Sequence, residues 1–287
     1  MDYLSVEAGL AENTILGYGR DLLGFVKYCK VHGAGKLGHV KPKIVYGYLQ
    51  ALSKTKKSES TINRALVSVK MLLRFGVLTG IVGEDFTSVL EGPKLWQRLP
   101  SVCSKEQVLR LLETPTEDDP YYLRDKALLE MLYATGARAS EVTGLKISDI
   151  NFSIGYLRVF GKGRKERIIP LGQTAIAVTK EYIEEGRSEL VKGASGDFLF
   201  LSRTGQAMDR VDVWRIVKKY GLRAGMPKNL TAHTLRHCFA THMLSGGADL
   251  RSLQEMLGHV DVATTQIYTH VDQDRLKSIH KQFHPRA

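Results

Sequence analysis

A chain of 287 residues is long enough for two domains of ordinary size. Its composition, 43% hydrophobic and 25% charged, excludes a largely disordered chain or a collagen, and no apolar run approaches the ~20 residues that span a bilayer. The surplus of 41 basic over 30 acidic residues favours a polyanionic partner such as nucleic acid.

The basic surplus is spread along the chain. Residues 1–100 hold 14 bases against 8 acids, and residues 101–287 hold 27 bases against 22 acids. A polyanion that contacts both parts explains this distribution, although a basic protein without such a partner is the plain alternative. Three widely spaced cysteines and an N-terminus without a basic, apolar signal sequence predict a cytoplasmic protein.

The first ninety residues are predicted to be helical. Apolar residues recur at helical spacing after Asn13, a candidate N-cap, and a second helix begins at Pro42 and runs through Leu52. Ser58 or Ser60 caps a third helix with one apolar face. A basic opposite face is usually only a solvated face, but it also offers candidate DNA contacts. These candidates are Lys54, Lys56, Lys57, Arg64, Lys70 and Arg74.

A linker over residues 93–101 separates two predicted domains, residues 1–92 and 102–287, because prolines break any helix there. In the second domain, Ser104 and Gln107 form a capping-box pattern at the start of a helix. A further helix over 121–135 ends at Gly136. Strands over 156–160 and 166–170 flank a hairpin turn. The remaining predicted helices cover 172–192, 209–225, 233–246, 249–257 and 272–282.

Nucleotide-binding motifs are missing from the sequence. Gly161-Lys162-Gly163 is not a P-loop, because no Ser or Thr follows the lysine and no glycine lies at the required distance before it. No GxGxxG motif follows a strand and opens a helix. The sequence therefore predicts neither ATP-driven nor dinucleotide chemistry, and it predicts no cofactor.

The densest cluster of candidate site residues runs from His233 to His242. His233 and His237 have the i, i+4 spacing of a helical zinc site. Thr234 replaces the glutamate of the HExxH motif, however, and Arg236 would repel a divalent cation. A metal-dependent nuclease built on these histidines is therefore only an alternative. Arg236 together with His233 predicts a phosphate site instead, since a guanidinium fork matches two phosphate oxygens.

Other chemistry-bearing residues recur at element ends. Arg138 follows a helix-ending glycine and precedes Glu141, Lys162 lies at the tip of the hairpin, and His259 and Tyr268 lie nine residues apart. This series resembles the active-site series of the tyrosine recombinases, the phage-integrase family, and the surrounding segments resemble the Xer subgroup over essentially the whole chain. The matching residues are Arg138, Lys162, His233, Arg236, His259 and Tyr268.

The resemblance implies a mainly α fold. An all-helical N-terminal core-binding domain and a mostly helical catalytic domain with a small antiparallel sheet would close around DNA as a clamp. It also implies a role for each residue. Tyr268 would attack a DNA phosphorus to give a 3′-phosphotyrosyl enzyme, with His233 accepting its proton and Lys162 protonating the leaving 5′ oxygen. Lys165 in the same hairpin is the alternative proton donor, although the spacing from Arg138 favours Lys162. Arg138, Arg236 and His259 would stabilise the transition-state charge, and Glu141 would hold Arg138 or a histidine in position.

The same resemblance implies the partners. Four protomers, of one recombinase or of two different Xer recombinases, would assemble on a double-stranded DNA recombination site. The family role is the resolution of chromosome dimers before division, with an FtsK-like septal DNA translocase as regulator. The segment 271–287 has a narrow apolar face that packs on its own core or docks into a neighbour. Plasmid, phage or mobile-element recombination, topoisomerase IB-like relaxation and a non-catalytic DNA-binding protein are the alternatives.

Overall fold

The computed structural model describes residues 12–92, 102–161, 166–193, 195–258 and 270–287. The chain divides into an N-terminal unit, Met1–Arg98, and a C-terminal unit, Leu99–Ala287. Both units are mainly helical, and an antiparallel sheet lies in the second, as predicted. The whole of the predicted linker lies outside the described residues, so its boundaries stay a prediction.

Three α-helices dominate the described part of the N-terminal unit: α1 (Glu12–Val31), α2 (Pro42–Lys54) and α3 (Glu59–Leu78). Pro42 lies in the first turn of α2, where its missing N–H costs no hydrogen bond. Ser58 caps α3 by accepting a hydrogen bond from the Thr61 N–H. Both predicted helix starts are confirmed. The prediction that Asn13 caps α1 is wrong, because Asn13 lies inside the helix.

The three helices meet through one apolar core. Phe25 of α1, Val45 of α2 and Leu73 of α3 are all almost fully buried. The Tyr48 hydroxyl donates to the carbonyl of Asp21 at 3.1 Å, which ties α2 to α1 by a hydrogen bond inside this core. The burial follows from the 3- and 4-residue spacing of the apolar positions, which puts them on one face of each helix.

The described part of the C-terminal unit consists of α-helices and a small set of strands. The helices are α4 (Lys105–Leu112), α5 (Tyr122–Thr135), α6 (Ala139–Thr143), α7 (Gln173–Glu181), α8 (Arg210–Arg223), α9 (Ala232–Gly246), α10 (Leu250–Leu257) and α11 (His270–Phe283). The strands are β1 (Ile150–Asn151), β2 (Tyr156–Phe160) and β3 (Glu166–Pro170), in the order β1-β2-β3. Helix α5 is buried along almost its whole length, so the other elements are arranged around it.

Several predicted elements are confirmed. Ser104 and Gln107 form the predicted capping box at α4, and α5 ends at Gly136, whose φ of +57° lies in the left-handed region. Strands β2 and β3 pair antiparallel, with Val159 opposite Arg167. Helix α6 and strand β1 were not predicted, because five and two residues are too few to show a hydrophobic period.

The predicted helix over 172–192 is confirmed as helical, but its type changes after Glu181. A π-helical turn covers Tyr182–Gly186 and a short 3₁₀ helix follows it. The buried ring of Tyr182 stacks on Phe200 with centroids 5.7 Å apart, and the Arg187 guanidinium donates to the carbonyl of Phe198. These tertiary contacts accompany the change from α to π and 3₁₀ geometry, which local periodicity alone does not predict.

The C-terminal segment packs on the core of its own chain. Leu276 is fully buried, and His280 Nε2 donates to the Ala134 carbonyl at 3.0 Å. The His284 ring stacks on His280 with centroids 4.5 Å apart. The Arg286 Nε donates to the buried Glu130 carboxylate at 2.9 Å. The sequence left open whether this segment packs on its own core or docks into a neighbour. In the structure it packs on its own core.

Removing Arg286 tests how much this packing stabilises the unit. Burial raises the pKa of the Glu130 carboxyl, and Arg286 opposes that rise. We expect Arg286→Met to lower the free energy of unfolding by about 3–5 kcal/mol, because it leaves a buried carboxylate unpaired. The matched control is Arg251→Met, which removes an exposed arginine from Glu255 while Arg275 stays bound to that carboxylate, and it should cost less than about 1 kcal/mol. Urea denaturation of the full chain measures both, and equal small losses would contradict this role of Arg286.

Candidate active site

Arg138 lies where the chain passes from α5 to α6. Gly136 ends α5, and Arg138 directly precedes the first residue of α6. The backbone N–H of Arg138 donates to Glu141 Oε2 at 2.7 Å, and its guanidinium Nη1 donates to Glu141 Oε1 at 3.0 Å. The Arg138 side chain is still 47% exposed, so part of its guanidinium faces outward and can receive an anion. Glu141 therefore orients Arg138, as predicted, without covering it.

A second arginine shares the Glu141 carboxylate. Arg167 of β3 donates from Nη1 to Oε1 at 2.9 Å and from Nη2 to Oε2 at 2.7 Å. Its Nε donates to the Met256 carbonyl in α10 at 2.8 Å. Both Arg167 and Glu141 are buried. No partner of Glu141 is a histidine among the described contacts, so the alternative that Glu141 holds a histidine has no support here.

The charge state of Glu141 follows from these contacts. Burial by itself would raise the pKa of the carboxyl, but hydrogen bonds from Arg167 and its positive charge, together with Arg138, leave that pKa lowered. The carboxylate is therefore ionised at neutral pH and accepts from both arginines.

Arg167 was not predicted as a site residue. Arg167 was predicted only as one position of a strand, and a lone basic residue in a short strand is usually a solvent-facing side chain. Its buried position depends on Glu141, 26 residues earlier, and on Met256, 89 residues later. The one available signal was a charged residue directly before the buried run Ile168-Ile169-Pro170, which is weak by itself.

Arg236 is held by the ends of two helices. Its Nη1 donates to the Gly136 carbonyl and its Nη2 to the Leu257 carbonyl, both at 2.7 Å. These carbonyls lie at the C-terminal ends of α5 and α10, where the helix dipole is negative and favours a cation. Burial, followed by the nearby charges of Arg138 and Arg167, lowers the pKa of Arg236 to about 10. The guanidinium therefore stays positive at neutral pH.

Two glycines permit this close packing. A Cβ at Gly136 would lie 2.5 Å from Phe239 Cδ1, and the residue has a φ of +57°. A Cβ at Gly258, with a φ of +65°, would lie 3.0 Å from Arg167 Cδ. Side chains at either position would displace the helix ends whose carbonyls bind Arg236 and Arg167, so these positions require glycine.

The three histidines of α9 have different surroundings. His233 is exposed in the first turn, which Thr231 caps by accepting from the Thr234 N–H. His237 is half-buried. His242 is buried, with Nε2 donating to the Cys103 carbonyl at 2.9 Å and Nδ1 2.8 Å from the Tyr133 hydroxyl. Both ring nitrogens of His242 are thus used by the core, which contradicts the alternative in which it binds a metal.

No group of three or more metal-binding side chains occurs within the described ranges. Three of the predicted catalytic residues, Lys162, His259 and Tyr268, lie outside the described residues, as does Lys165, the alternative proton donor in the hairpin. The structure therefore brings together Arg138, Arg236, Glu141 and the unpredicted Arg167. The remaining assignments stay predictions.

The six predicted DNA contacts of the N-terminal unit differ in their surroundings. Lys54, Lys56 and Lys57 are exposed around the turn between α2 and α3, whereas Lys70 is half-buried. Arg64 instead donates to Asp21, from Nε to Oδ2 at 2.8 Å and from Nη2 to Oδ1 at 3.0 Å. Arg74, the last of the six predicted DNA contacts, donates from Nε to Thr87 Oγ1 at 3.1 Å. Each of these two arginines thus has a partner in its own unit that the sequence did not reveal, and both are exposed as well.

The arrangement in the C-terminal unit suits binding of a phosphate. Three guanidinium groups surround one carboxylate, so the cluster keeps a surplus of positive charge that an anion can offset. The donors of Arg138 and Arg236 are fixed before any ligand arrives, because Glu141 and two helix-end carbonyls already hold them. Fixed donors of this kind can stabilise charge that grows on a phosphoryl group during reaction.

Comparison with known proteins agrees with this class of site. The model of the phage integrase family matches residues 101–275, and that of the phage integrase N-terminal SAM-like domain matches residues 1–80. Tyrosine recombinase XerD of Staphylococcus epidermidis is 41% identical and the match covers 100% of this chain and 97% of that protein. Tyrosine recombinase XerD of Halalkalibacterium halodurans is 42% identical, over 100% of this chain and 96% of that protein.

Among solved structures, XerH site-specific recombinase bound to palindromic difH substrate, in a post-cleavage complex, is similar with a TM-score of 0.72. It is 26% identical, and the match covers 92% of this chain and 78% of that one. The helical N-terminal unit, the sheet-bearing C-terminal unit and the arginine cluster together define an enzyme of phosphoryl transfer on DNA. The chain belongs to the phage integrase family and is a site-specific tyrosine recombinase. No helix within the described ranges is long and apolar enough to cross a membrane.

Replacing Glu141 tests the charge balance of the cluster. We expect Glu141→Gln to lower the free energy of unfolding at pH 7 by about 3–5 kcal/mol, because Arg167 loses its buried counter-charge. The lowered pKa of Glu141 means that its contribution is full above the unfolded pKa of about 4.3 and is lost as the pH falls through the folded value. The stability gap between wild type and variant should therefore shrink from pH 7 to pH 3 in urea titrations. A gap independent of pH would contradict the ion pair.

Proposed function

We propose that this recombinase cuts and rejoins DNA through a 3′-phosphotyrosyl intermediate on Tyr268, and that it resolves chromosome dimers before cell division. The observation that carries the chemical proposal is the pair Arg138 and Arg236, each fixed by internal acceptors beside a surplus of positive charge. The cellular role is supported by the two curated relatives, which are tyrosine recombinases named XerD and match over the full chain.

In the proposed reaction, Arg138 and Arg236 bind the non-bridging oxygens of the scissile phosphate. Charge grows on these oxygens as the phosphorus becomes pentavalent, and donors that are already in place need no reorganisation at that moment. Removing one such donor typically costs ~10²–10³-fold in rate. His259 adds a hydrogen bond to the same oxygens.

Two proton transfers complete the step. A tyrosine hydroxyl in water has a pKa of about 10 and is protonated at neutral pH, so in this scheme Tyr268 loses its proton as it attacks, and His233 accepts that proton. The new bond joins the Tyr268 oxygen to phosphorus, and the bond from phosphorus to the 5′ oxygen breaks. Lys162 gives that oxygen a proton, so that it leaves as a hydroxyl group. Attack by a 5′ hydroxyl of another strand on the phosphotyrosine reverses these transfers and releases Tyr268.

The covalent intermediate explains why no energy source is needed. The phosphodiester bond is exchanged for a phosphotyrosyl ester of similar chemistry, so its energy is kept for rejoining. The missing P-loop agrees with this scheme.

The proposal includes an assembly on DNA. Each protomer supplies one nucleophile, and exchange between two duplexes breaks four strands, so four protomers of one or two recombinases act together. Exposed Lys54, Lys56 and Lys57 of the N-terminal unit contact phosphates, and so do Arg64 and Arg74, which are exposed as well as bound to partners in that unit. An FtsK-like septal translocase regulates the reaction in this scheme. The structure of XerH bound to difH substrate supports a specific DNA site as the substrate class.

Tyr268→Phe tests the nucleophile. We expect the variant to form no covalent protein–DNA adduct on a nicked suicide substrate, and to bind the same DNA with a Kd within about threefold of wild type, because affinity comes from many phosphate contacts. The substrate carries a site located by footprinting on genomic fragments. A phenylalanine variant that still forms an adduct would falsify the assignment.

The same two proteins distinguish recombination from relaxation. On a supercoiled plasmid with two copies of the site, wild type should release two smaller circles. If wild type forms the adduct but only relaxes the plasmid, the topoisomerase-like alternative replaces the proposal of recombination between sites.

Lys162→Ala tests the proton donor. General-acid catalysis contributes ~10²–10⁴-fold, so we expect cleavage of ordinary DNA to slow by about that factor. In a substrate with sulfur in place of the bridging 5′ oxygen, the sulfur leaves phosphorus as a stable thiolate and needs no proton. The variant should therefore recover most of its cleavage rate on that substrate. Arg138→Ala is the control and should not recover, since it acts on the non-bridging oxygens. Single-turnover cleavage measures all four rates. A Lys162 variant equally slow on both substrates would move the role to Lys165.

A further inference from the structure

Arg167 has no place in the six-residue series that resembles the family's active site, yet it makes more contacts inside the cluster than either of the two candidate catalytic arginines. Its guanidinium uses three nitrogens for three acceptors: both Glu141 oxygens and the Met256 carbonyl. The residue is 5% exposed, so it cannot be a surface contact for DNA. Its role must therefore be exerted through the groups that it holds.

One route runs through Glu141 to Arg138. The Glu141 Oε1 accepts from Arg167 Nη1 at 2.9 Å and from Arg138 Nη1 at 3.0 Å, so one oxygen binds both guanidinium groups. Oε2 binds Arg167 Nη2 and the Arg138 backbone N–H, both at 2.7 Å. The planar fork of Arg167 thereby sets the plane of the carboxylate, and that plane sets the direction in which the half-exposed Arg138 points.

A second route runs through the end of α10. Arg167 binds the carbonyl of Met256, and the next carbonyl, of Leu257, binds Arg236. Gly258 follows and passes close to the Arg167 side chain, where an added Cβ would be 3.0 Å from Cδ. Arg167 therefore joins three segments: β3, which follows the hairpin, α6 beside Arg138, and the end of α10 that binds Arg236.

We propose that Arg167 is a positioning residue for DNA strand cleavage, which aligns Arg138 through Glu141 and Arg236 through the end of α10. The inference rests on the proposed function, because it assigns Arg138 and Arg236 to the scissile phosphate. Lysine in place of Arg167 keeps the positive charge but cannot bind both carboxylate oxygens in one plane and the Met256 carbonyl at once. The charge of the cluster would survive and its alignment would not.

Arg167→Lys is the central variant. A displacement of about 1 Å in an active site can cost ~10²-fold in rate, so we expect single-turnover cleavage to fall by about that factor while the Kd for the site changes less than about threefold. The matched control is Arg124→Lys. Arg124 is also buried, and it donates to the Asp125 carboxylate and to the Leu201 carbonyl, in a network separate from these contacts. The control should lose thermal stability to a similar degree but cleave at the wild-type rate.

A double-variant cycle tests whether the effect passes through Arg138. Once Arg138→Ala has removed the group that Arg167 aligns through Glu141, adding Arg167→Lys should slow cleavage much less than it does in wild type. The 5′-sulfur substrate should not rescue Arg167→Lys, because that substrate replaces only the proton donor. Glu141→Asp, which keeps the charge but withdraws the carboxylate by one methylene, should reproduce the slow cleavage with unchanged DNA affinity, and it serves as the second variant if Arg167→Lys does not fold.

Each result bears on the inference separately from the proposed function. Arg167→Lys cleaving as fast as Arg124→Lys would overturn it, and so would fully multiplicative losses in the cycle. Rescue by the sulfur substrate would also overturn it, since Arg167 would then act on the hairpin that carries Lys162. Failure of wild-type protein to form an adduct through Tyr268 would instead remove the proposed function itself. If wild-type protein cleaves DNA, and Tyr268→Phe binds DNA without cleaving it, the proposed function stands. The Arg167 variants then test the positioning role alone.

Discussion

The carboxylate of Glu141, buried between two arginines, is the interaction on which the rest of the candidate active site depends. It accepts four hydrogen bonds, two from Arg138 and two from Arg167. An isolated buried guanidinium is costly, so Arg167 can be buried only because this carboxylate accompanies it. Because one carboxylate accompanies several guanidinium groups, the cluster carries a net positive charge. An anion such as a DNA phosphate would offset that charge.

Helix ends supply the second half of the arrangement. The carbonyls that end α5 and α10 have no helical N–H partners, and the Arg236 guanidinium satisfies one from each. Gly136 and Gly258 let the chain turn there without side chains in the way. Because α5 is buried along almost all of its length, the core fixes the position of its end. The Gly136 carbonyl at that end in turn fixes the Arg236 guanidinium. The alignment of the cluster is thus a consequence of how the unit packs.

The same principle changes the interpretation of basic residues elsewhere. Arg64 looks like a DNA contact in the sequence, but its fork is bound to Asp21 and links α3 to α1. Arg286 looks like part of a polar tail, but it is the counter-charge of the buried Glu130. A basic residue can therefore serve the fold of its own unit even where, as for Arg64, half of its side chain is exposed.

The sequence by itself determined the elements whose causes are local. The capping box of Ser104, the end of α5 at Gly136 and the two hairpin strands depend on neighbouring residues, whereas Arg138 and Arg236 were assigned to one site through the resemblance to the tyrosine recombinases. Only the tertiary structure decided the burial of Arg167, the change of helix type after Glu181 and the packing of the C-terminal segment on its own core. Each of these depends on partners far along the chain, and a buried charge reveals its partner only when folding brings the two together.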